Sequence, residues 1–160
     1  MDSKGLDFSP EVNMMKAIMI IHHSEEKALI VVSKGEKLIS TLTRDVIDLR
    51  LKGGIISGLG ALIHVELGYY HLEHKEYLRK TFSEMDYELI SLTGNLSLKE
   101  GQPYIHVHAA LGDNQFRVFG GHLFEAEVAV TAEVSIVPLG KMPVRELDSR
   151  LGLATICRIQ

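Results

Sequence analysis

Apolar residues run in short β-branched blocks along most of the chain, and one stretch changes to a three-and-four-residue period. Lys16 to His22 (K-A-I-M-I-I-H) and Lys27 to Ser33 (K-A-L-I-V-V-S) are two such blocks. Ser24, Glu25 and Glu26 lie between them, which predicts a hairpin of buried strands with His22 and His23 at its turn. From Lys34 to Leu51 the period changes. Leu38, Leu42, Val46, Leu49 and the neighbouring Ile39 fall on one face of an amphipathic helix over about residues 35–51. Gly53 and Gly54 are expected to stop it.

Ile55 to Tyr70 returns to strand composition with Gly58, Gly60 and Gly68 inside, where glycines mark a bulge or a close backbone approach. His64, within this run, reads as a satisfied sheet histidine. Tyr77 to Glu84 and Tyr87 to Leu98 are further strands, the latter followed by a turn at Lys99 to Pro103. Ala126 to Val137 alternates strictly at Val128, Val130, Ala132, Val134 and Ile136 until Pro138 and Gly140 end it. Arg145 to Leu151 is charged and has no clear period. Leu153 to Ile159 reads as a last short strand.

These elements predict an α+β fold: a mainly antiparallel β-sheet with one principal amphipathic helix, about 35–51. Residues 1–14, with Gly5 and Pro10, read as a mobile leader. Residues 15–160 form a single domain, as the length of 160 residues suggests.

Composition narrows the function. The net charge is −4 and no run of Lys and Arg occurs. DNA is therefore a partner that the charge does not support, since nucleic-acid binders usually carry a basic stripe. The single cysteine, Cys157, excludes an intrachain disulfide. It fits a reducing compartment and reads as a small buried hydrophobe. No apolar run is long enough for a spanning helix, so no membrane partner is expected. The polar, acidic N-terminus lacks the order of a signal peptide, which predicts a cytoplasmic protein.

The candidate chemistry lies in Tyr104 to Phe124 (Y-I-H-V-H-A-A-L-G-D-N-Q-F-R-V-F-G-G-H-L-F). In a strand, residues i and i+2 face the same way, so His106 and His108 are a matched pair. His122, on the returning strand, is the third candidate, and its direction depends on the turn. A two-residue loop at Asp113-Asn114 points it away. A three-residue loop, Asp113 to Gln115, pairs His106 with His122 and gathers three imidazoles on one face. A bulge at Gly120-Gly121 has the same effect. Three neutral imidazoles suit Zn²⁺, Ni²⁺, Cu²⁺ or Fe²⁺, with a fourth position left open. Glu125, Glu127 and Glu133 lie close in sequence as candidates to hold the rings by hydrogen bonds. His71, Glu73 and His74 are also of ligand type, but their charged surroundings read as a solvated turn.

Several strings occur together in a familiar order: G-L-G-A-L at 58–62, L-G-Y-Y at 67–70, K-E-Y at 75–77, Y-E-L-I-S-L-T-G-N-L-S at 87–97, H-V-H at 106–108 and G-G-H-L at 120–123. From about Lys16 to Leu139 the chain resembles the plants-and-prokaryotes-conserved (PPC) domain family, in its prokaryotic single-domain form. The resemblance implies a PPC-domain-like fold and assembly as a homotrimer. It also implies a metal site at His106, His108 and His122. Plant relatives add a basic AT-hook, and this chain has no Arg-Gly-Arg-Pro-type hook.

Two functions follow as expectations. The first is a trimeric metal-binding module with a regulatory role, DNA- or transcription-associated by family analogy. The second is a metal-dependent enzyme whose three-histidine site, with Zn²⁺ or another divalent transition metal, activates water at the open position.

Overall fold

The β-branched blocks pair into one continuous sheet of nine strands. The structure, a computed structural model, describes residues 19–23 and 27–160; the expected leader at 1–14 and the first turn at 24–26 lie outside them. The elements are β1 (Met19–His23), β2 (Ala28–Ser33), α1 (Leu38–Asp48), β3 (Gly54–His71), β4 (Glu76–Phe82), β5 (Tyr87–Lys99), β6 (Gln102–Gly112), β7 (Val118–Pro138), β8 (Pro143–Asp148) and β9 (Leu153–Ile159).

Pairing is antiparallel except for a short parallel contact between β5 and β8. β3 pairs with β7 on one edge, and with β5 and then β4 on the other. β6 joins β5 to β7, so β3, β5, β6 and β7 close a ring of pairings. Ile56, Leu62, Leu92, Val107, Val134 and Ile136 fill its interior and are buried. α1 packs against β7, β6 and β2 and adds Leu38, Leu42 and Val46 to the same core.

The α+β expectation is corrected here. Strands hold 67% of the described residues and helix 8%, so the fold is mostly β. The helix spans 11 residues, far short of 35–51. Both ends have physical causes. At the start, Gly35 and Glu36 bond the backbone of Val128 and so belong to the sheet edge. At the end, the Arg50 N–H donates to the Ile47 carbonyl and the Leu51 N–H to the Val46 carbonyl, both at 3.0 Å. That is a Schellman motif, with Arg50 in the left-handed region at φ 54° and Leu51 closing against Val46. Arg50, rather than the glycines at 53 and 54, stops the helix.

Two further expectations change, and a third is refined. Val130 is 62% exposed, because β7 carries two extra residues between the pairs Gly60–Ala132 and Leu62–Val128. His64 lies in the sheet as expected, but on an exposed irregularity of β3 against β7, at φ 52°. Cys157 is exposed, on the terminal strand β9.

Candidate metal centre

The β6–β7 hairpin sets the site. Its turn is built around Asp113, whose Oδ1 accepts from the N–H groups of Gln115 (2.8 Å) and Arg117 (3.0 Å). The Phe116 N–H donates to the Asp113 carbonyl, and the Asp113 N–H to that of Arg117. The loop is therefore three residues, Asn114 to Phe116, with Phe116 in the left-handed position at φ 61°. The expected loop of Asp113 to Gln115 is one residue out. The side-chain carboxylate of Asp113 takes part in closing the turn, so Asp113 belongs to the strand stem. The loop length stays odd, and the three histidines keep the same face. His108, rather than His106, stands opposite His122, and Gly120 faces Ala110.

On the other edge of β6, His106 pairs with Asn95 and Val107 with Gly94 of β5. A Cβ at Gly94 would overlap the His106 carbonyl, so glycine is what lets the strands meet there.

The three rings converge. Centroids of His106 and His122 are 5.0 Å apart, and each is 5.5 Å from that of His108. One nitrogen from each lies within 4.8 Å of the others, the one group of three such ligands among the described residues. Two nitrogens on one Zn²⁺ at about 2.1 Å each are separated by no more than about 4.2 Å. Small side-chain rotations therefore close the set. His122 is 5% exposed, His106 is half-buried and His108 is exposed. The site thus has a closed back and an open front.

Aromatic rings form the back. Tyr77 (5.2 Å) and Phe124 (4.7 Å) pack on His122, and Tyr104 stacks at 6.0 Å on His106. Burial pushes the His106 imidazole down to about 4, aided by the Arg145 guanidinium and then by the His122 and His108 rings. Burial also pushes His122 down to about 4, with the charges of His108, Arg79, Arg145 and Lys99 adding to it. Both rings are neutral at pH 7, the form that ligates a metal.

The fit to a metal can be tested on one atom. His122 Nδ1 is buried and has no hydrogen-bond partner, alone among buried side-chain nitrogens and oxygens of the described residues. Orphaned polar atoms cost about 1–3 kcal/mol. This one belongs to a residue of the three-histidine cluster, whose donor set suits a cation. The residues therefore fit a divalent transition metal.

The glutamates near His122 in sequence serve other ends. Glu125 caps α1 from β7, accepting from the N–H groups of Ile39 (2.8 Å) and Ser40 (3.1 Å) and from the Ser40 hydroxyl (2.6 Å). Glu127 pairs with Lys37 at 3.3 Å, and Glu133 is exposed. The contact to the histidines comes instead from Arg145 on β8, whose Nη2 donates to His106 Nδ1 at 2.8 Å. Nothing in the charged run 145–151 signalled this, because its partners lie on β5, β6 and β9. His71 and His74 touch edge to face at 5.4 Å in an exposed turn, apart from the three-histidine group. A cleft of about 830 Å³ opens beside the site, with Tyr77 and Arg145 in its wall.

Residues 21–140 match the Plants and Prokaryotes Conserved (PCC) domain. The chain belongs to this family. Solved PCC-like structures agree with the fold. A metal-containing protein from Archaeoglobus fulgidus is 34% identical, with a TM-score of 0.78 over 90% of this chain and 100% of that one. A plant- and prokaryote-conserved protein from Pyrococcus horikoshii is 33% identical, with a TM-score of 0.76 over 94% and 99%. A protein from Bacteroides thetaiotaomicron, provisionally described as DNA-binding, is 25% identical, with a TM-score of 0.80 over 85% and 94%. No curated protein matches the chain. Relative to the matched region, Arg145 lies just beyond the PCC domain.

Proposed function

We propose that this PCC domain is a metal-binding protein in which His106, His108 and His122 hold one divalent transition metal, with Zn²⁺ as the first candidate. The observation that carries this reading is the convergence of one nitrogen from each of three imidazoles to within 4.8 Å of one another. The 34% identity to a protein named as metal-containing supports it. Three neutral nitrogens suit Zn²⁺ and its neighbours in the transition series. When bound, the ion supplies a Lewis acid with a position to spare. The chain's own residues hold the ligand rings neutral, pack His122 between Tyr77 and Phe124, and leave His108 facing solvent.

The working assembly is a homotrimer in this reading. Ile55 and Leu59 of β3 and Val130 and Val137 of β7 are all about half exposed or more, which gives the outer sheet apolar surface for a second copy. DNA is not part of the proposal, because the net charge is −4.

Metal analysis of purified protein tests the site. One transition-metal ion per chain is expected, and His106→Ala should lose it. Protein that is metal-free as purified and also fails to take up Zn²⁺ would end the proposal. Light scattering during size exclusion tests the assembly, and a monomer at micromolar concentration rules out the trimer.

A further inference from the structure

Arg145 is a buried cation that pairs with no carboxylate among the described residues. Only 8% of its surface is exposed. Its Nε donates to Ser97 Oγ (2.9 Å), its Nη1 to the Ala154 carbonyl (3.1 Å), and its Nη2 to Asn95 Oδ1 (3.0 Å) and His106 Nδ1 (2.8 Å). All four acceptors are neutral. Other arginines meet carboxylates: Arg79 pairs with Glu66, Arg117 with Asp113, and Arg158 with Glu146. Hydrogen bonds to neutral groups offset part of the desolvation of a guanidinium, but only an anion cancels its charge.

Donor counting adds to this. A guanidinium has five N–H groups, and four are used, leaving one on Nη1. A neutral imidazole has one lone-pair nitrogen, and in this structure His106 gives it to Arg145. A metal on His106 takes that lone pair, whichever nitrogen it binds. Arg145 then has donors free on both Nη1 and Nη2, the fork that a carboxylate accepts in bidentate fashion. This second step rests on the metal reading above.

The cleft of about 830 Å³ beside the histidines has Arg145 in its wall, together with Tyr70, Tyr77, Val144 and Leu153. Its size is that of small-molecule sites. Arg79 and Arg158, also in the wall, pair with carboxylates, while Lys75 and Lys99 add two further cations and Glu76 and Glu100 two anions. Arg145 is the one buried cation of this wall, and with the apolar surface of Tyr70, Tyr77, Val144 and Leu153 it suits a single negative group on an organic body.

We propose that this cleft binds a small organic monocarboxylate, with the carboxylate seated on the Arg145 guanidinium beside the histidines. Metal loading strengthens the binding by freeing Arg145 from His106.

Calorimetric titration of benzoate into metal-free and Zn²⁺-treated wild-type protein tests this, with benzamide as the uncharged isostere and inorganic phosphate as the competing anion. Benzoate should bind both forms, about tenfold or more tighter to the Zn²⁺-loaded one, which corresponds to the loss of one competing hydrogen bond to a charged donor. Benzamide should not bind, and phosphate should bind at least about tenfold more weakly. Arg145→Gln should abolish benzoate binding. Arg145→Lys, which keeps the charge without the fork, should weaken it by about tenfold. Because Arg145 also ties β8 to β5, the decisive readout is on wild-type protein: its guanidinium NMR signals should move with benzoate and stay fixed with benzamide. No benzoate binding to either form, or binding that leaves those signals unmoved, overturns the site. Equal affinity in the two forms overturns the coupling to metal. If Zn²⁺ does not load, the metal-free titration still decides the carboxylate site, and only the metal reading falls.

Discussion

His108 stands directly opposite His122 across the β6–β7 ladder, and the two ring centroids are 5.5 Å apart. One ring is exposed and the other is buried. The two should therefore fail differently when removed. His122→Ala deletes the buried ligand from between Tyr77 and Phe124 and leaves a cavity. It should lower metal affinity by at least about 100-fold and destabilise the metal-free protein by about 1–3 kcal/mol. His108→Ala should match the affinity loss while leaving metal-free stability within about 0.5 kcal/mol. Metal competition with a chromophoric chelator and urea unfolding separate the two effects.

The lowered basicity of His106 and His122 gives a pH signature. Their folded-state values are about 4, below the ordinary 6.5. Between those limits the unfolded chain binds protons that the folded chain does not. Stability is then fully present above pH 6.5 and falls as pH drops toward 4. Urea midpoints of metal-free protein should decline across this window, and less steeply in the His106→Asn/His122→Asn double variant. Equal slopes in the two proteins would contradict the assignment.

Phe116 sits in the left-handed region at φ 61° with 94% of its surface exposed. It gives up backbone freedom and has little burial to offset that. Phe116→Gly should raise stability by up to about 1 kcal/mol, since the left-handed cost for an L-residue exceeds the extra chain entropy of glycine. Chemical denaturation reads this directly. A loss of stability would mean that the ring has a partner.

Gly94 gives the reverse case. A Cβ there would overlap the backbone carbonyl of His106, which cannot swing aside as a side chain can. Gly94→Ala should push β5 and β6 apart, costing about 2–4 kcal/mol and weakening metal binding through the displaced His106. Wild-type affinity in a folded Gly94→Ala protein would show that the strand spacing does not set the ring position.

Local period was enough to find most strands, though not β8, and the odd loop, one of the alternatives the sequence left open, puts His106, His108 and His122 on one face. What stayed hidden was tertiary. The helix looked longer than it is because Glu36 and Lys37 are good helix formers, yet residues 35–37 bond Val128 and Glu127 of β7. Its true stop, Arg50, has no sequence mark of the kind a glycine carries. Val130 kept the phase of a buried residue, but two extra residues in β7 moved it outward. The turn slipped by one residue because the Asp113 side chain completes it, an interaction that loop length alone does not encode. Arg145 was illegible for the same reason: its acceptors come from β5, β6 and β9, brought together only by the finished sheet.

The position of β8 also bears on the histidines. They ride on the central hairpin, inside the matched region 21–140, whereas Arg145 comes from β8 just after it. One side chain bridges the two, through its contacts with His106 and with Ser97 and Asn95 of β5. The last hairpin thus acts as a brace, and a shift in it is felt at the His106 ring.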